Sequence, residues 1–272
     1  MLKVSIITIT FNSKRYLEQT IQSVLDQDYP DIEYIIVDGG STDGTLDIIR
    51  KYENRISTWI SEPDKGIADA MNKGIKMASG NIIGIIHADD FYEPEAIKAV
   101  AEIFSKDPSI GLVHGDLRFW NPGETASAID KPPATEKTAW KRMPAWHPTV
   151  FVRRGIYEKF GLFDISYKIA MDHELLLRFL KAGVRFFYSG LVLANMRTTG
   201  VSNIRYHDAL MESKKVATKH GTGKIKIFLY YTFYPFFKEM EKATGRSIKK
   251  HGLSGIANLY RKIFYPHVPT DY

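Results

Sequence analysis

The chain has no cysteine, which excludes disulfides and thiolate metal sites. It also has no run of about 18 uninterrupted apolar residues, the length a membrane-spanning helix needs. No solenoid-type internal repeat is present. The glycine fingerprint G-x-G-x-x-G, which a dinucleotide-dependent oxidoreductase carries after its first strand, is missing; TFNSKRY stands there instead. The opening MLKVSIITITF is short, alternates with Ser and Thr and offers no small-residue cleavage site. It reads as a first strand rather than a signal peptide, and a cytoplasmic protein is expected.

What is present fits one substantial core with room for an appendage in 272 residues. The net charge of +6 is unevenly spread: from His207 to Tyr272 there are 12 basic against 5 acidic residues, and the rest carries 25 against 26. A basic tail implies an anionic partner, nucleic acid or a lipid surface.

The most informative stretch is Ile82–Tyr92, IIGIIHADDFY. An apolar run of this length reads as a buried parallel strand. It ends in Asp89 and Asp90, where open α/β sheets bind ligands. Carboxylates there suit a divalent cation serving a phosphate, or they cap the helix predicted from Pro94. Other strands are predicted at Val4–Thr10, Ile32–Val37, Ser57–Ser61, Ile110–His114, Thr149–Arg153, Phe186–Tyr188 and Leu191–Ala194. Helices are predicted at Arg15–Gln27, Leu46–Tyr52, Gly66–Ala78 (with Gly80 as its C-terminal cap), Pro94–Ser105, Arg154–Phe160 and Ile169–Ala182. This alternation predicts an α/β fold with a mostly parallel sheet and helices on both faces. Asn121–Thr138 shows no period and reads as a loop. The first four strands end in Thr10-Phe11-Asn12, Asp38, Ser61–Asp64 and His87–Asp90. In a parallel sheet these ends share one edge, and together they make a polar rim that chance capping does not readily produce.

The ordered motifs TITFN, IVDGGSTDGT, SEPDKGIADAMNKGIKMASG, HADD and MDHELLLR resemble the family 2 glycosyltransferases, closest to the branch that builds bacterial surface polysaccharides such as O-antigen and capsule. The match covers roughly Met1–Asn203. It implies a GT-A, Rossmann-like nucleotide-binding fold and inverting transfer of a sugar from a nucleotide donor, usually UDP-linked. On this resemblance residues 1–203 form the GT-A domain, with 1–116 the nucleotide-sugar-binding half and 117–203 the acceptor-binding half; residues 204–272 form a basic, aromatic helical tail. Asp89 takes the last position of the family's Asp-x-Asp pattern and is the expected ligand of Mn2+ or Mg2+. His87 takes the first position, a departure, and is expected to touch the nucleotide. Asp90 is expected to cap the Pro94 helix, or else to support the metal ligand from behind. Asp38 corresponds to the position that accepts a hydrogen bond from the nucleobase, or it orders an Asx-type turn with Gly39-Gly40. Thr10, Phe11, Asn12, Asp64 and Lys65 complete the expected nucleotide site, and Asp43 orders its turn or caps the next helix.

Asp172 corresponds to the family's general base, with Met171 a departure beside it. An inverting transfer needs one base opposite the leaving group. Trp146 and His147 are expected on the acceptor side. Glu174 is expected to bind acceptor or to pair with Arg178. A catalytically decayed sugar-nucleotide-binding or membrane-associated protein of the same fold is the alternative that His87 and Met171 keep open.

Lys224–Met240 is rich in aromatics with flanking lysines, and Ser247–Phe264 is a second basic amphipathic helix candidate. Such segments suit a membrane interface, so peripheral contact through 224–264 at the inner face of the cell membrane is expected. The alternative is packing on the catalytic domain or a homo-oligomer contact. Nucleic acid is not the expected partner, because the aromatics cluster in apolar runs. A lipid-diphosphate-linked or other saccharide acceptor would suit this placement.

Overall fold

The computed structural model describes residues 1–121, 125–132, 136–198 and 206–244. The predicted helix Ser247–Phe264 lies outside them. The chain divides into two compact units, Met1–Val216 and Ala217–Tyr272.

Four strands form the heart of the first unit: β1 (Val4–Thr10), β2 (Ile32–Asp38), β3 (Thr58–Ser61) and β4 (Ile82–His87). They lie parallel in the order β3-β2-β1-β4. Val4 faces Ile32 on one side and Ile82 on the other, so β1 starts level with both neighbours. Beyond β4 the sheet becomes mixed. It continues with β8 (Phe151–Arg153), β6 (Leu112–Asn121), β9 (Phe186–Arg197) and β5 (Phe91–Tyr92).

Period-two alternation sorts the strand residues onto two cores. On one face Ile7, Ile35 and Ile85 pack with Met71 and Ile75 of α3 (Ile67–Met77) and with Leu175 and Phe179 of α6 (Met171–Lys181). On the other, Ile6, Ile36 and Ile86 pack with Leu17, Ile21 and Val24 of α1 (Leu17–Leu25). Ile97, Val100 and Phe104 of α4 (Ala96–Lys106) join that second core. Each fully buried aliphatic side chain contributes about 1.5–3 kcal/mol, and the strands are apolar on both faces for that reason. The other helices of this sheet layer are α2 (Thr45–Lys51) and α5 (Arg154–Phe160). Two helices follow: α7 (Tyr206–Lys219) and α8 (Lys224–Thr244).

Three sequence expectations are corrected. The predicted loop Asn121–Thr138 contains β7 (Thr125–Asp130), which pairs with β6 in a hairpin. The strands predicted at Phe186–Tyr188 and Leu191–Ala194 are one strand, β9, whose register against β6 shifts near Asp116. Gly80 is not a helix cap: α3 ends at Met77 with Ala78 already extended. Gly80 serves close packing instead, since a β-carbon there would lie 2.5 Å from Ser5 Oγ and 2.7 Å from the Ser5 nitrogen.

That contact belongs to a polar lock on the start of the sheet. The Glu33 carboxylate accepts from Ser5 Oγ (2.5 Å), Ser79 N (2.7 Å), Ser79 Oγ (2.6 Å) and Lys3 Nζ (3.1 Å). Burial pushes the Glu33 carboxyl up, but the donors from Ser5, Ser79 and Lys3 outweigh it and hold it at about 2. The folded pKa is thus below the unfolded one, so this stabilisation is present above pH about 4.5 and is lost as pH falls toward 2. Acid unfolding of Glu33→Gln, followed by circular dichroism, is expected to show a flatter fall in stability across that window than wild type.

Candidate active site at the carboxyl edge of the sheet

In-register pairing brings the ends of β1, β2 and β4 to one edge, with Thr10 opposite Asp38 and Ile9 opposite His87. Asp38 differs from its expected base-contacting role. It is fully buried and accepts four hydrogen bonds. They come from Gly40 N (3.0 Å), Ser41 N (2.9 Å), Ser41 Oγ (2.5 Å) and Ser61 Oγ (2.7 Å). The amides of the turn reach it before any ligand does, so Asp38 orders the turn, the alternative the sequence offered. Asp43 does likewise one step on, accepting from Lys14 N (3.1 Å) and Thr45 N (3.0 Å).

A partly exposed carboxylate beside this turn is Asp64. A β-carbon on Gly39 would lie 2.5 Å from Asp64 Oδ2 and 3.3 Å from the Phe11 ring. Asp64 therefore occupies the room that a side chain at position 39 would take. Its Oδ1 accepts from Gly66 N at 2.7 Å. Phe11 is 61% exposed beside it, an apolar face open to a ligand rather than a core residue. Asn12 sits in the left-handed region at φ 49°. Its side-chain oxygen accepts from Thr42 N and its own nitrogen donates to Ser41 Oγ, which ties the β1 and β2 loops together. Thr10 Oγ1 is buried with no hydrogen-bond partner. The Lys65 side chain is exposed.

After β4 the chain turns through Asp89 and Asp90. Ligand atoms of His87, Asp89 and Asp90 lie within 4.8 Å of one another. His87 Nε2 is buried without a partner. Burial, followed by the neighbouring His147, holds the His87 imidazole down at about 4, so it is neutral and its nitrogen can accept a metal or a hydrogen bond. Asp90 is buried and does not cap α4, whose N-cap is Glu95. Its carboxylate accepts from Arg197 N at 3.2 Å, and burial followed by the adjacent Asp89 raises its pKa.

Arg197, at the end of β9, went unnoticed in the sequence because it is distant from every motif. Its guanidinium donates to the Asp89 carbonyl and to Gln19 Oε1 (2.6 Å) and lies over the Tyr16 ring at 4.0 Å. Thr20 Oγ1 holds the same turn by donating to the Ala88 and Asp90 carbonyls.

Asp172 lies in the first turn of α6, and its carboxylate approaches the same edge through two histidines. His147 Nδ1 is 3.2 Å from Asp172 Oδ1, although the alignment falls short of a hydrogen bond. The His147 ring lies 4.9 Å from that of His87. Burial raises the Asp172 pKa, but the neighbouring His147 pulls it further the other way, and the carboxyl is held below its ordinary range. It is ionised at neutral pH, as a base must be.

The residues expected on the acceptor side separate. His147 is buried and meets Asp172 rather than an open surface. Trp146 is half-buried, donates from its indole nitrogen to the Lys131 carbonyl (3.0 Å) and packs edge-on against Phe119. Glu174 has a completely buried side chain paired with Arg178 at 3.0 Å. It is out of reach of an acceptor, and of its two sequence readings the ion pair holds.

A mostly parallel sheet with an acidic turn at its carboxyl edge and the Asp172 carboxylate nearby fits the GT-A type of glycosyltransferase fold. Residues 5–164 match the family described as Glycosyl transferase family 2, and the chain belongs to that family. An uncharacterized glycosyltransferase of Mycobacterium tuberculosis is 34% identical over 184 residues, covering 64% of this chain and 68% of that protein. The chondroitin synthase of Pasteurella multocida is 32% identical over 184 residues, covering 66% of this chain but only 19% of the synthase. Among solved structures, the mannosyltransferase PcManGT from Pyrobaculum calidifontis, in complex with GDP-Man and Mn2+, superposes with a TM-score of 0.67 at 22% identity, covering 95% of this chain and 78% of that one. S. aureus TarS 1-349 in complex with UDP-GlcNAc gives 0.65 at 18% identity, covering 86% and 73%. These likenesses establish the fold.

Replacing Arg197 by Lys keeps the charge but loses the planar fork. Urea unfolding of Arg197→Lys is expected to show a loss of about 1.5–3 kcal/mol for each charge-assisted bond broken.

Proposed function

We propose that the chain transfers a sugar, with inversion, from a UDP-linked donor to a glycan or lipid-diphosphate-linked saccharide in the assembly of a bacterial surface polysaccharide. The observation that carries this reading is the short chain of contacts from Asp172 through His147 to His87, beside Asp89 on the same sheet edge. The nucleotide-sugar complexes of TarS and PcManGT support it by fold.

The donor lies along the ends of β1 and β2. Its base packs on Phe11, and Asp64 accepts the ring N–H of uracil; Thr10 and Asn12 line the ribose side. Asp38 keeps the turn in shape from beneath. Lys65 meets the diphosphate as a point charge. A divalent cation fits beside Asp89: the unpartnered His87 Nε2 and the carboxylates make a mixed nitrogen and oxygen donor set. That set favours Mn2+ over Mg2+, which prefers oxygen alone. When bound, the cation stabilises negative charge on the diphosphate leaving group. Arg197 keeps the Asp89–Asp90 turn in register for it. Asp172 takes the proton from the acceptor hydroxyl as that oxygen attacks the anomeric carbon, and the bond from that carbon to the diphosphate breaks on the opposite face. His147 orients the carboxylate. Trp146 borders the acceptor side, held to the Lys131 carbonyl.

The acceptor's lipid would bring the enzyme to the inner face of a membrane. In α8 the side chains of Ile225, Phe228, Leu229 and Phe233 are exposed and recur at helical spacing on one stripe, next to Lys224 and Lys226. This favours an interfacial helix on anionic lipid. No helix among the described residues is long and apolar enough to cross a membrane.

Asp172→Asn is expected to lower the transfer rate about 100- to 10,000-fold while stabilisation by the nucleotide sugar in a thermal-shift assay is retained. Unchanged transfer would refute the base assignment. A panel of nucleotide sugars, with and without Mn2+, is expected to give selective stabilisation by one UDP-sugar that Asp64→Ala weakens and Asp89→Ala makes insensitive to Mn2+.

A further inference from the structure

We infer that Glu212, on α7, is a positioning residue for Asp172, and that it works by clasping the three residues that lead into α6. This rests on Asp172 being the base. The first amides of a helix have no partners within it and must find them elsewhere. The N-cap of α6 is Ala170, whose side chain cannot supply one. Glu212 reaches the N-cap amide and the two amides before it from another helix. Its Oε2 accepts from Ile169 N (2.8 Å), Ala170 N (2.9 Å) and Lys168 N (3.1 Å), and its Oε1 from Lys168 N (3.0 Å). A carboxylate that accepts three backbone amides forms charge-assisted bonds, stronger and shorter than neutral ones, and negative charge is favoured at a helix N-terminus. Asp172 lies two residues beyond the last clasped amide.

The clasped segment is held at its other side by the donor loop. Lys168 Nζ donates to the Lys65 carbonyl at 3.1 Å. Lys65 itself is fixed by its nitrogen donating to Asp69 Oδ2, and Asp64 bonds Gly66 N. Residues 168–170 are therefore a strap whose two ends touch the two halves of the reaction, the nucleotide loop through Lys168 and the base through the start of α6. Glu212 sets the strap's position. The face of α7 that carries Glu212 is itself anchored: Val216, one turn on, is fully buried in the core beneath α3 and α6. A side chain placed on that packed face holds a fixed position, as orienting a base requires.

The test is a set of variants of the full chain, assayed with the UDP-sugar chosen by the panel and its acceptor. Glu212→Ala is expected to lower kcat about 10- to 100-fold, the effect of a misplaced catalytic group, with KM for the donor changed less than threefold in the same assay. Glu212→Gln keeps an oxygen where Oε2 lies and is expected to recover most of that rate. Lys168→Ala, which frees the donor loop but leaves the Glu212 bonds to the backbone, is expected to raise the donor KM and spare kcat. Hydrogen exchange at the amides of Lys168, Ile169 and Ala170 is expected to accelerate in Glu212→Ala and remain slow in Glu212→Gln. Wild-type kcat in Glu212→Ala would overturn the proposal, and so would equal loss in Glu212→Gln. If Glu212→Ala does not fold, Glu212→Leu, which keeps the bulk on α7 and loses both acceptor oxygens, is read on the same terms. Asp172→Asn in parallel separates the two readings. Full transfer there would sink the base assignment alone, leaving the exchange result to judge the clasp.

Discussion

Everything at the site depends on the level start of three parallel strands. Because Val4 faces both Ile32 and Ile82, strands of similar length finish together and deliver Thr10, Asp38 and His87 to one edge. A slip of one residue would turn each strand over and send its aliphatic side chains to the wrong core. The two cores, one on each face, make that slip costly. Glu33 and the close passage of Gly80 past Ser5 fasten the same register at the opposite edge. Chemistry at the carboxyl end is thus held in place by packing and hydrogen bonds at the other.

Around that edge burial and neighbouring charge together set which groups are ionised. Asp90 and His87 sit where burial disfavours their charged forms, while Asp172 remains ionised beside His147. Asp89 is partly accessible. On the proposed reading that carboxylate serves a cation and Asp172 a proton, and the His87 and His147 rings lie 4.9 Å apart beside them. Arg197 and Glu212 act one layer further out. Each uses a charged side chain to hold backbone, one at the Asp89–Asp90 turn and one at the start of α6.

Much of this was legible in the sequence, for physical reasons that differ by element. Short β-branched runs bounded by polar residues mark buried strands, so β1 and β2 were placed almost to the residue, while β4 stops at His87 and Phe91–Tyr92 forms its own short strand. Their polar ends, and the position of Asp172 at a helix start, followed from the same reading together with the family resemblance. β7 was missed because a strand in a hairpin at the rim, paired to β6, needs no long apolar run. Asp38 was ambiguous because a carboxylate before Gly39-Gly40-Ser41 can serve a turn or a ligand, and only the count of amides reaching it decides. Glu174 was settled the same way, by Arg178 and burial. The contacts made by Arg197 and Glu212 join residues far apart in the chain, and no local pattern announces them. His147 was noticed, but its neighbour Asp172 comes from a different element.

The missing side chain at position 39 has a consequence for how such a site can change. A β-carbon at position 39 would meet the tip of the Asp64 carboxylate and the Phe11 ring. That tip belongs to a short side chain that can turn aside, so the residue at 39 sets where the Asp64 carboxylate points beside Phe11. A small change in one loop thereby re-aims an acid carried by another.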